Sequence, residues 1–138
     1  MKISDAAYIA GLFDAQGSVE YIKRKQRKKG KKKAYNYWSI RCEMSMPDQE
    51  VMKWVHETIG CGTLNKRETK KTWRWRCSYR DALTFVKMIW PFAQVKLHDI
   101  ENIIDHYEPR AQELGDNVVD LAEERSNRIA TNPWNSLL

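Results

Sequence analysis

With 138 residues and 42% hydrophobic content, the chain can enclose one hydrophobic core, and its length is that of a single domain over residues 1–138. Its longest apolar stretches fall far short of the roughly 18 to 20 residues of a membrane span, and no signal-peptide pattern opens it. These features exclude a membrane-spanning or secreted class and predict a soluble, intracellular protein.

The net charge of +6 is local in origin: "KRKQRKKGKKK", residues 23–33, holds nine Lys or Arg, whereas the rest carries 15 basic against 18 acidic residues. Such a run is often only a solvated loop. Here it joins two strand-like segments, so it is expected at a hairpin tip, where it would suit a phosphate backbone. Cys42, Cys61 and Cys77 form no C-x-x-C pair and sit among apolar residues, which argues for reduced, buried thiols over a zinc site.

In chain order, Ser4 precedes "DAAYIAGLFDA" as an N-cap, with Asp5 in the first turn, predicting a first helix over about 5–15 that Gly17 ends. Ala7, Ala10 and Gly11 make a small face. Tyr8, Ile9, Leu12 and Phe13 make a bulkier stripe assigned to the core. The small face either admits another backbone closely or reflects only the helix preference of alanine.

A strand over about 18–25 follows, with Val19 and Tyr21 inward and Ser18, Glu20, Ile22 and Arg24 outward. Beyond the basic run, residues 35–44 alternate: Asn36, Trp38, Ile40, Cys42 and Met44 against Tyr35, Tyr37, Ser39, Arg41 and Glu43. Asp48 caps a second helix with apolar Val51, Met52, Val55 and Ile59, and Gly60 stops it. A second hairpin places Thr63, Asn65 and Arg67 outward near 63–68. Its other strand, near 72–79, sets Trp73, Trp75 and Cys77 against Thr72, Arg74, Arg76 and Ser78.

A third helix is expected over about 80–89, halted by Pro91, and a fourth over about 96–107, halted near Pro109. Residues 115–125 read as a short acidic helix, and 115–138 together as a peripheral C-terminal helix and tail. The order α-β-β-α-β-β-α describes an α+β fold, a four-stranded antiparallel sheet with helices on one face. Its free face carries Arg24, Tyr37, Arg41, Asn65, Arg67, Arg74 and Arg76, suited to lie along a DNA major groove. The alternative is that water-facing sheets are polar in any case.

"IAGLFDAQG", residues 9–17, resembles the nine-residue LAGLIDADG motif of the homing endonucleases, whose fold has the same element order. "IGCG" at 59–62 and "PFAQVK" at 91–96 are similar to further elements of that family, so the resemblance spans about residues 4–107. It implies a site-specific endonuclease that cuts double-stranded DNA by metal-dependent phosphodiester hydrolysis. A saddle-shaped sheet would face the duplex. One motif per chain implies a homodimer joined through the motif helices, here through Ala7, Ala10 and Gly11, on a long near-palindromic site.

The resemblance also assigns roles to residues. The position of Gln16 is where the family carries the Asp or Glu that holds Mg²⁺, or another divalent cation such as Ca²⁺ or Mn²⁺. The backbone carbonyl of Ala15 is a second metal ligand, and Lys96 matches the active-site lysine. A glutamine keeps the length of glutamate without its charge, and hard cations prefer carboxylate oxygens. Cleavage is therefore expected to be impaired.

Three readings stay open: a stand-in for glutamate, engineered or natural, on a cleaving scaffold; a non-cleaving DNA-binding or RNA-splicing, maturase-like relative; or a DNA-binding regulator on the same fold. The family's water-ordering polar residue has no clear match, Met44 falling nearest. The expected DNA contacts are Ser18, Glu20, Ile22, Arg24, Tyr35, Tyr37, Ser39, Arg41, Asn65, Arg67, Arg74 and Arg76, with Lys25, Lys28 and Lys29 on phosphates. His56, His98 and His106 are isolated and receive no chemistry.

Overall fold

A computed structural model describes residues 1–27, 30 and 34–109. Lys28, Lys29 and the expected C-terminal helix and tail lie outside the described residues. Eight elements follow in order: α1 (Ile3–Gln16), β1 (Gly17–Arg27), β2 (Ala34–Met46), α2 (Gln49–Ile59), β3 (Thr63–Arg67), β4 (Thr72–Ser78), α3 (Arg80–Ile89) and α4 (Leu97–Tyr107). The strands form one antiparallel sheet in the order β1-β2-β4-β3. The architecture is the α+β arrangement read from the sequence. Among the described residues no helix is long and apolar enough to cross a membrane.

Alternation along the strands decides which sheet face is covered. Val19 pairs with Cys42, Tyr21 with Ile40, Cys42 with Cys77 and Met44 with Trp75, so the apolar residues of three strands share one face. Ile40, Cys42, Met44, Trp75 and Cys77 are buried there under helical residues such as Ile9, Phe13, Met52, Phe85 and Ile100. Phe85 fixes the centre, its ring 5.0 Å from that of Phe13 and 4.7 Å from that of Trp75. The indole N–H of Trp75 donates to the Cys61 carbonyl at 3.0 Å, so the buried ring leaves no polar atom stranded. Each of these large side chains stabilises the fold by about 1.5–3 kcal/mol through burial.

Helix ends follow from local chemistry, with one change. Asp48 caps α2, its carboxylate accepting from the Val51 N–H at 3.1 Å, and Gly60 ends it in the left-handed conformation at φ 82°. Ser4 is not the cap of α1. The helix begins at half-buried Ile3, and the Lys2 carbonyl accepts from Asp5 and Ala6, each at 3.1 Å. Gly17 ends α1 at φ −90°, a backbone any residue adopts. It is glycine for space: a Cβ there would stand 2.5 Å from the Phe13 carbonyl oxygen and 2.4 Å from its ring.

The core face of α1 also differs from expectation. Ala6, Ile9, Ala10 and Phe13 are buried, whereas Tyr8 is 54% exposed and Gly11 is exposed. Tyr8 therefore leaves the core stripe. Ala10, grouped with the outward small face on the sequence, is fully enclosed within its own chain. The face that α1 turns outward is Ser4, Tyr8, Gly11 and Ala15, with Ala7 at its edge.

All three cysteines are free, with Cys42 and Cys77 buried and Cys61 half-buried. Burial pushes the Cys61 thiol up to about 11, and a hydrogen bond with Cys42, reinforced by burial, pushes Cys77 up as well. Cys61 and Cys77 are thus held as thiols at neutral pH.

Candidate functional site

The β1 and β2 strands are the longest, and their hairpin outruns the helices: residues 22–26 and 34–36 are exposed. Register fixes the rows of side chains on its open face. Ser18, Glu43, Arg76 and Thr63 form one row across four strands; Glu20, Arg41 and Ser78 form the next. Ile22 lies opposite Ser39, Arg24 opposite Tyr37 and Gln26 opposite Tyr35, while Ser45, Arg74 and Asn65 line up across the other hairpin. Arg67 pairs with Thr72. Every described residue expected on the open face therefore shares it; of the three lysines expected on phosphates, Lys25 alone is among the described residues. Lys25 pairs with Asn36 and has the parity of Tyr21, which puts it on the opposite side of the exposed arm.

The open face is cationic and internally organised. Glu20 takes Arg24 at 2.7 Å, the Ser39 hydroxyl at 2.6 Å and Arg41 at 3.2 Å. The Ser39 hydrogen bond, assisted by both arginines, holds its carboxyl below the ordinary carboxylate range despite some desolvation. Glu43 takes Arg76 through Nε at 3.0 Å and Nη2 at 2.9 Å. A polar cleft of about 170 Å³, lined by Ser18, Val19, Glu20, Arg41 and Glu43, opens between β1 and β2. Ile22, 43% exposed, and Tyr35, 41% exposed, stand on the same face.

At the end of this face α1 passes into β1. Gln16, the last residue of α1, is exposed, as is Ala15. Asp14 turns the other way, accepting from the backbone N–H of Gln94 at 2.8 Å and of Lys96 at 3.0 Å. Two residues before Gln16, one carboxylate thus anchors the segment carrying Lys96, which holds the N-cap position of α4. Asp14→Ala would leave the part-buried Lys96 N–H without its acceptor and the exposed Gln94 N–H to water, and a loss of about 1–2 kcal/mol in urea or thermal unfolding is the expected result.

Met44 pairs with Gly17 and is buried on the helix-covered face, so it orders no water. His56 is structural, its Nε2 lying 3.0 Å from the Gly62 carbonyl oxygen. His106 Nδ1 lies 3.1 Å from the Tyr21 hydroxyl, beneath the hairpin. Asp14 and Glu43 are the contributors that carried no role on the sequence. Asp14 stood inside the motif, and Glu43 had the right parity, but only the register joins it to Arg76.

A second surface flanks α1. Ser4, Asp5 and Tyr8 face Glu50, Val51 and Trp54 of α2 across an open, mainly apolar groove of about 500 Å³. The Tyr8 and Trp54 rings meet edge to face at 5.6 Å.

The model of the family described as LAGLIDADG endonuclease matches residues 9–98, about two thirds of the chain. Among curated proteins none matches. Solved structures with the same fold include the homing endonuclease I-CvuI, crystallised with the I-CreI target in the presence of Mg (TM-score 0.64, 16% identity, covering 90% of this chain and 81% of that one). The archaeal intron-encoded homing endonuclease I-Vdi141I, complexed with DNA, gives a TM-score of 0.61 at 16% identity, covering 90% and 83%. The meganuclease I-SmaMI, bound to uncleaveable DNA, gives 0.59 at 17% identity, and there the match covers 96% of this chain but 45% of that one. At these identities the likeness is one of fold.

Proposed function

Because the chain belongs to the LAGLIDADG endonuclease family, we propose that it binds a long, near-palindromic double-stranded DNA site as a homodimer, on the scaffold of a homing endonuclease whose cleavage Gln16 impairs. The observation that carries this reading is the open sheet face. One side of the sheet is sealed by helices, and the other presents Arg24, Arg41, Arg74 and Arg76 across β1, β2 and β4, with the exposed, basic end of the β1–β2 hairpin extending beyond it. A two-stranded ribbon of this kind fits the major groove, where arginine reads guanine edges.

The outward face of α1 supports the dimer. Gly11 offers no side chain, a Cβ built there meets nothing within 4 Å, and Ala7 is its small neighbour. A second copy of the helix can approach that stripe closely, with the Tyr8 and Trp54 groove beside it. The 45% coverage of I-SmaMI agrees with one chain supplying half of a paired assembly.

The donor set suits a divalent cation poorly. Gln16 offers a neutral carbonyl oxygen where hard ions favour carboxylate. Asp14 is committed to two backbone N–H groups, and Glu20 and Glu43 to arginines. Among the described residues no group of three or more His, Cys, Asp or Glu side chains is placed to hold a metal. These residues bind and orient DNA; no cleavage step is assigned to them. Lys96, anchored through its backbone to Asp14, is positioned to offset phosphate charge at the motif junction.

Selection from a random duplex library, followed by a salt titration of the chosen site, tests this reading. The expected slope of log affinity against log salt is about −0.9 per phosphate neutralised. A flat salt response, or no enriched site, would remove DNA recognition from the assignment.

A further inference from the structure

Carboxylates are costly on a surface that meets a polyanion, yet two stand in the middle of the open face. Both are matched by arginine across the strands. Glu20 lies directly opposite Arg41 and Glu43 directly opposite Arg76 in the register. The arginine side chains remain partly open, 34% exposed for Arg41 and 31% for Arg76. Among the described residues Arg74, in the neighbouring row, forms no ion pair.

A guanidinium has five N–H donors in a planar fork. Glu43 occupies the Nε and Nη2 edge of Arg76, which leaves the Nη1 and Nη2 end free for a second bidentate partner. Glu20 forms an ion pair with Arg41, its carboxylate 3.2 Å from Nη2, and Ser39 and Arg24 hold the carboxylate in place. Guanine presents O6 and N7 to such a fork. An arginine already fixed by a carboxylate loses less freedom on engaging a base and cannot swing onto a phosphate, so its contact discriminates.

The geometry points to Glu20 and Glu43 as positioning residues that make Arg41 and Arg76 the guanine readers of this face. The inference rests on the DNA-binding reading and deepens it. Arg74, without a carboxylate partner, supplies sequence-tolerant attraction instead. Removing either glutamate leaves overall attraction to DNA equal or stronger, because a negative charge is lost, while discrimination at one base pair collapses.

The test is selection from a random duplex library with the full chain and with Glu20→Gln, Arg41→Gln, Glu43→Gln, Arg76→Gln and Arg74→Gln, each checked for an unchanged thermal melt. Ser39→Ala, which loosens the Glu20 carboxylate without altering charge, serves as a second variant of that site. The guanine preference expected of a bidentate arginine, about 5- to 150-fold, should fall to about twofold in Glu20→Gln at the base pair where Arg41→Gln loses it. Glu43→Gln and Arg76→Gln should share a different base pair. Arg74→Gln should weaken binding across all sequences and flatten the salt dependence. If the unaltered chain enriches a site and the glutamate variants keep its full profile, or change it at base pairs their arginines do not affect, the positioning role is wrong and DNA recognition stands. If the unaltered chain enriches no duplex, both fall.

Discussion

Gln16→Glu is expected to raise the rate at which the chain cuts a selected duplex in the presence of Mg²⁺. The substitution adds one oxygen ligand and one negative charge without changing side-chain length, at an exposed helix end where nothing obstructs it. Metal-assisted charge stabilisation is worth several kcal/mol, so a gain of about a thousandfold in the cleavage rate of a selected site is the expected size.

The same position carries a cost that makes the result more specific. Gln16 sits at the C-terminal end of α1, where the helix dipole is negative and no basic residue occupies the last turn. A carboxylate there should lower metal-free stability by about 0.3–1 kcal/mol. Added Mg²⁺ or Ca²⁺ should restore the melt of Gln16→Glu and leave that of the unaltered chain unchanged. Cleavage that stays absent while site binding is intact would show that the scaffold lacks more than this carboxylate.

Gly11→Leu should separate folding from assembly. Space around Gly11 in the single chain is open, and glycine inside a helix costs about 1 kcal/mol relative to alanine. The variant should therefore melt at the same temperature as the unaltered monomer or higher. Its leucine would fill the space in which the two helices of the proposed dimer meet, so sedimentation should find monomers. Losing the second half-site should weaken binding of the selected duplex by about 10²- to 10⁴-fold. A Gly11→Leu protein that still dimerises and binds at full strength would place the partner surface elsewhere.

The sheet and its covered face were legible because alternation in β2 and β4 is nearly unbroken, and the stops at Gly60, Pro91 and Pro109 coincide with local backbone chemistry. The orientation of α1 was less legible for a physical reason. Its buried stripe of Ala6, Ile9, Ala10 and Phe13 and its outward stripe of Tyr8, Gly11 and Ala15 differ little in polarity, so periodicity could not choose between them. Tyr8 and Ala10 consequently exchanged places relative to expectation.

The site was legible only in part. Parity placed the arginines on the open face, but pairing them with Glu20 and Glu43 requires the register between strands, and a shift in register would change every partner. The bond from Asp14 to Gln94 and Lys96 joins residues 80 and 82 positions apart, which no local pattern announces. The motif resemblance marked where the junction lies; the fold shows which of its carboxylates is already committed.

The most direct measurement is the mass of the complex between the unaltered chain and its selected duplex, by native mass spectrometry or sedimentation at moderate salt. Two chains on one duplex, with the enriched sequence nearly two-fold symmetric, is the expected result. One chain bound at full affinity to an asymmetric site, or no complex at all, would contradict the account.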